Sequence, residues 1–226
     1  MVLSFFKRDT TPGLDHIVSK SVQMLGDARH SFDLATLALL TETDADVVSA
    51  DIRETDQRIN KAEQDLRSEL VVHISVQGTA DIGSVLGFTL LLKKIERIGD
   101  QAKNILDLAE GGISLAENEN INTLLDERLA VSSLFIDAAE LLADHDVDDS
   151  AIEEFAAKAD ALTSVHKRMI EGFLISERPG REVVPLAIYY RYLKRIVSNL
   201  LGIVRTASEP IPTVDYLDDG DTDTDD

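Results

Sequence analysis

Apolar residues recur along most of this chain at intervals of three and four, the spacing that puts side chains on one face of an α-helix. The clearest example is Leu90-Leu91-Leu92-Lys93-Lys94-Ile95-Glu96-Arg97-Ile98-Gly99-Asp100-Gln101-Ala102-Lys103-Asn104-Ile105-Leu106. Here Ile95, Ile98, Ala102, Ile105 and Ala109 make one apolar stripe, and Glu96 and Asp100 lie four residues apart on a neighbouring line. Like charges at that spacing repel by a few tenths of a kcal/mol, so a partner should offset them. Lys93, Arg97 and Lys103 lie within reach, which makes an ordinary solvated face one reading of the pair. Gly99 costs roughly 1 kcal/mol of helix propensity, which suggests that another backbone comes close there.

The same pattern predicts helices over about Leu14 to Leu40, from a cap at Thr43 or Asp44 to about Val76, and from about Asp81 to Glu110. Gly78 separates the second from the third, and Gly111-Gly112 ends the third. The plan then repeats, with helices over about Ile121 to Ala143, about Val147 to Ser176, and from the Pro179-Gly180 break to about Ala207. No segment alternates long enough to form a strand. The expected fold is all-α, two tandem three-helix bundles over 14–112 and 119–208, between a flexible start at 1–13 and an acidic, disordered tail at 209–226.

Turn position gives a register. If the second and third helices form an antiparallel hairpin about Gly78, Asp56 faces Asp100 and Asn60 faces Glu96. Four oxygen-bearing side chains then meet at one level. Carboxylate and amide oxygens without cysteine suit a hard or borderline cation such as magnesium, manganese or iron. The same construction about Gly180 fails. Aligning Leu193-Lys194-Arg195-Ile196-Val197-Ser198-Asn199 with Ile95-Glu96-Arg97-Ile98-Gly99-Asp100-Gln101 puts Lys194 in place of Glu96 and Ser198 in place of Asp100. Their partners become His166 and Leu162, which cannot build an oxygen cage.

Glu96-Arg97-Ile98-Gly99-Asp100, with Glu54-Thr55-Asp56-Gln57-Arg58-Ile59-Asn60, resembles the PhoU family of phosphate-signalling regulators. That family is built from two three-helix repeats, each with an E/D-x-x-x-D motif on its third helix. The resemblance spans roughly Leu14 to Ala207; its first motif is intact and its second is degenerate. It implies a non-catalytic cytoplasmic protein that regulates phosphate uptake and phosphate-starvation signalling. The implied partners are a membrane phosphate transporter subunit, a sensor histidine kinase, or both, with the protein held at the inner face of the membrane through them. A homodimer is compatible with it. The implied cofactor is a divalent or trivalent metal ion (Mg, Mn, Fe or Zn) on Glu96, Asp100 and Asp56, to which the hairpin register adds Asn60.

Composition narrows the alternatives. The formal charge of -20 argues against nucleic acid as a partner, because phosphate contacts need a basic face. Seven aspartates between Asp215 and Asp226 supply part of that charge and leave about -13 for the body. There is no apolar run of the ~20 residues that a membrane-spanning helix requires. Met1-Val2-Leu3-Ser4-Phe5-Phe6-Lys7-Arg8 lacks the long apolar core of a signal peptide, although it could touch a membrane surface. Cysteine is absent, which excludes disulfides and thiolate metal sites. His16, His30, His73, His145 and His166 are scattered, without ligand spacing, and are expected to be structural or exposed. Tyr189, Tyr190 and Tyr192 suit packing and rim positions better than a partner surface. Two other functions compete with regulation: a carboxylate-liganded metal enzyme on a helical bundle, and a metal-free helical scaffold. The Glu-x-x-His pairs of di-iron bundles are missing, which disfavours the first.

Overall fold

The computed structural model describes residues 14–144 and 146–208, and the expectations for the start, the tail and His145 lie outside them. Helices α1 (Leu14–Leu40), α2 (Ala45–Gln77), α3 (Ile82–Glu110), α4 (Ile121–Ala143), α5 (Asp149–Leu174) and α6 (Gly180–Ser208) carry the fold, with no strand among the described residues. The chain is all-α.

The helix ends follow local chemistry. The Asp44 carboxylate accepts a hydrogen bond from the Asp46 backbone N–H at 3.0 Å and starts α2. Asp148 caps α5 in the same way through Ser150, at 3.3 Å. At the far end of α2 the chain enters a 3-10 turn, Gly78–Asp81, through Gly78 at φ 78, a left-handed conformation that glycine adopts without a Cβ penalty. Pro185 lies inside α6, just past the first turn that Val183 closes by donating to the Pro179 carbonyl at 3.3 Å, and so forgoes one helical hydrogen bond.

Burial divides the helices by role. α2 buries a narrow stripe, Val48, Ile52, Thr55, Ile59, Glu63, Leu66 and Leu70, and leaves its other faces to solvent. α5 buries only Phe155, Ala159 and His166. α3 and α6 bury much broader surfaces because each packs inside its own bundle and also against the other. α1 packs on α2 and α3, and α4 and α5 pack on α6. The two bundles therefore share one core, which runs from Ile17, Leu25 and Phe32 through Ile95, Ile98 and Ile105 to Leu193, Ile196 and Leu200.

α1 and α4 add a second seam between the bundles. Arg128 donates from Nε to Thr36 Oγ1 at 2.8 Å and pairs through Nη2 with Asp33 Oδ1 at 3.2 Å. Ser132 donates to Asp33 Oδ2 at 3.2 Å and accepts from Arg29 Nε at 3.1 Å. Moving back along α1 from Asp33 to Arg29 moves forward along α4 from Arg128 to Ser132, so these helices are antiparallel.

Candidate functional site

The 3-10 turn sets where the acidic residues of α2 and α3 meet. A hairpin pivoting on Gly78 alone would set Asp56 against Asp100; the turn instead consumes Gly78–Asp81 before α3 begins. Asp56 is consequently met by Lys103, one helical turn beyond Asp100, with Nζ 3.1 Å from Asp56 Oδ2. The same Nζ lies 3.3 Å from Asp100 Oδ1. One ammonium thus bridges carboxylates on facing helices. Asn60 donates from Nδ2 to Asp56 Oδ2 at 3.4 Å along α2. Glu96 pairs along its own helix with Lys93, Nζ to Oε2 2.7 Å, and that buried oxygen lacks an aligned hydrogen bond.

The repulsion between Glu96 and Asp100 is therefore offset by two lysines of α3, Lys93 and Lys103, on a face that is only partly solvated. Burial works against the charge on Lys103, but the hydrogen bonds and charges of Asp56 and Asp100 outweigh it and hold its pKa above the ordinary lysine value. Among the described residues, no group of three or more His, Asp or Glu is arranged to hold a metal ion. As packed, Lys103 joins Asp56 to Asp100, Asn60 bonds to Asp56, and Glu96 pairs with Lys93. Gly99 also has a different neighbour from the backbone expected: a Cβ there would stand 3.2 Å from the Ile59 side chain, at Cδ1.

The second bundle carries polar chemistry at a place the hairpin construction did not identify. His166, fully buried, meets Glu127 of α4 through Nε2 at 2.8 Å from Oε2. Its ring packs against Tyr190 at 5.7 Å between centroids, and Tyr190 meets Tyr189 edge-on at 5.8 Å. Lys194 and Ser198 are partly buried. Finding Glu127 from sequence would require the register between α4 and α5, which are joined by a loop with no hairpin glycine to fix it. Burial, with the Glu127 charge in support, pushes the Tyr190 hydroxyl up to about 12; it also raises that of Tyr189, whose oxygen has no hydrogen-bond partner. Tyr189 and Tyr190 are core residues. The remaining described histidines pair at or near the surface: His16 with Glu69 at 3.8 Å, His30 with Asp51 at 3.1 Å, and His73 with Asp81 at 2.9 Å.

The family model of the PhoU domain matches residues 22–109. The first bundle is thus similar to the PhoU domain. The match takes in most of α1, all of α2 and nearly all of α3, and so contains the Asp56–Lys103–Asp100 bridge. The fold is similar to the crystal structure of PhoU from Pseudomonas aeruginosa, with a TM-score of 0.70 and 20% identity. That likeness covers 86% of this chain and 95% of the other, so it extends through both bundles. No curated protein matches the sequence. No helix of the described residues is long and apolar enough to cross a membrane.

Proposed function

We propose that this protein is a non-catalytic regulator of phosphate uptake and phosphate-starvation signalling, which works by binding other proteins through its helical surfaces. The observation that carries this reading is the match to the PhoU domain over residues 22–109, set in a two-bundle fold like that of the Pseudomonas aeruginosa PhoU. The polar chemistry supports a binding role. The Glu96–Lys93 and Asp56–Lys103–Asp100 groups of the first bundle are engaged with one another, and the Glu127–His166 pair is packed against Tyr190. The partners that fit are a membrane phosphate transporter subunit and a sensor histidine kinase, met at the inner face of the membrane. Asp56, Asn60, Glu96 and Asp100 are the residues that would hold a divalent or trivalent metal ion, at the position where Lys103 Nζ meets Asp56 and Asp100.

Deletion of the gene in its own host tests the proposal. The expected result is raised phosphate uptake, or expression of phosphate-starvation genes, while phosphate is plentiful. Unchanged uptake and expression, in a strain without a second copy of the protein, would overturn it.

A further inference from the structure

A groove of about 350 Å³ opens between α4 and α5, at the end of the molecule where α4 finishes. Its floor is apolar, formed by the partly buried Leu141 and Ala151 over the enclosed Phe155. Its walls carry the carboxylates of Asp137, Glu140, Asp144 and Glu154, against which the cation of the lining is Lys158. Lys158 spans two of these acids, at 3.5 Å from Asp137 and 3.0 Å from Glu154, which leaves the groove with an excess of negative charge. An apolar floor between acidic walls is complementary to a short segment that combines aromatic and basic side chains.

Such a segment precedes α1. Val2-Leu3-Ser4-Phe5-Phe6-Lys7-Arg8 joins a run of apolar residues to two adjacent cations, in a chain whose formal charge is otherwise strongly negative at -20. Its position is favourable. The Arg29–Ser132 and Asp33–Arg128 contacts make α1 antiparallel to α4, so Leu14 lies at the end where α4 runs out and the groove opens. Phe6 stands eight positions before Leu14, a reach of roughly 26 Å when extended, enough to cross from the start of α1 over neighbouring α4. On the groove-facing side of α5, Phe155 is enclosed, whereas Ala151 is partly buried and Glu154 and Lys158 are exposed.

We propose that the α4–α5 groove is a docking surface for the chain's own residues 2–8, with Phe5 and Phe6 on the Leu141–Phe155 floor and Lys7 and Arg8 against the acidic walls. Docking would remove two aromatic side chains from water and bring a basic pair to a site of excess negative charge. It would also tie the start of the first bundle to the second.

The absence of cysteine makes disulfide trapping in the full chain a clean test. Phe6→Cys is combined with Ala151→Cys in the groove lining, and separately with Val76→Cys on the exposed end of α2, which the His16–Glu69 contact places near the start of α1. The expected result is an intrachain disulfide formed in several-fold excess with Ala151→Cys, and reduced several-fold by Lys7→Glu with Arg8→Glu. Equal yields for the two pairs, indifference to the charge reversal, or a disulfide joining two chains would overturn the proposal. The last outcome would assign the groove to a second copy. Should a cysteine pair disturb folding, hydrogen exchange of the cysteine-free full chain gives an independent reading. The charge-reversed variant should exchange several-fold faster over residues 137–158, and an unchanged profile there would overturn the proposal equally.

Discussion

Lys94 of α3 lies against the backbone of Gly202 in α6, so closely that a Cβ at residue 202 would stand 2.6 Å from the lysine Nζ. Both residues are buried, and their helices make the main contact between the bundles. A helical glycine costs about 1 kcal/mol relative to alanine, so its presence here reflects the room the lysine needs. Gly202→Ala should therefore destabilise the wild type but stabilise a Lys94→Ala background. Denaturant unfolding of the double-mutant cycle should show a coupling of about 1–2 kcal/mol. Additive effects would mean that Lys94 finds another position at no cost.

Lys103 supplies the positive charge between Asp56 and Asp100. Lys103→Met should cost about 1 kcal/mol, a modest figure because the ammonium is partly exposed and solvent screens it. The variant leaves the two carboxylates seeking a cation, so manganese or magnesium should raise its melting temperature more than that of the wild type. Thermal melts with and without each metal compare them. An equal metal response in both proteins would show that Lys103 does not compete for that position.

Glu127 and His166 are each other's partner in the interior of the second bundle. Truncating His166→Ala removes a fully buried ring and leaves a carboxylate with little access to water, at a cost of about 3 kcal/mol. Changing Glu127→Gln in the same background should recover part of that loss, because an uncharged amide is cheaper to leave in the interior. Urea unfolding of the single and double variants measures the recovery. A double variant no more stable than His166→Ala would show that the cost lies in packing rather than in charge.

Tyr190 gives a stability signature at high pH. Its hydroxyl has an ordinary value of 10.0 and is raised to about 12 in the fold, chiefly by burial. Below pH 10 both folded and unfolded chains keep the proton, and this contribution to stability is complete. As pH rises from 10 through 12 the unfolded chain releases it more readily, so the contribution is lost. Tyr190→Phe should flatten that part of the profile, and stability curves of the two proteins over pH 9 to 12 should diverge there. Parallel curves would place the alkaline transition on other groups.

The hydrophobic pattern by itself determined the six helices and their order, because a stripe at three- and four-residue spacing has to be buried whatever it packs against. It also located the α2 cap at Thr43 or Asp44, Gly78 and the break before α6, which depend on local backbone chemistry; the cap at Asp148 it did not single out. The Glu96–Asp100 motif and its neighbours were enough to point to the PhoU family, and the match over residues 22–109 bears that out. What only the tertiary structure decided was which side chains meet. The four-residue turn at Gly78–Asp81 set the α2–α3 register, and that register placed Lys103 between Asp56 and Asp100. Likewise the approach of α4 to α5 brought Glu127 to His166, and the crossing of α3 and α6 pressed Lys94 onto Gly202. Periodicity fixes the face that a helix buries, but a shift of one turn along the axis preserves that face and changes every polar partner on it.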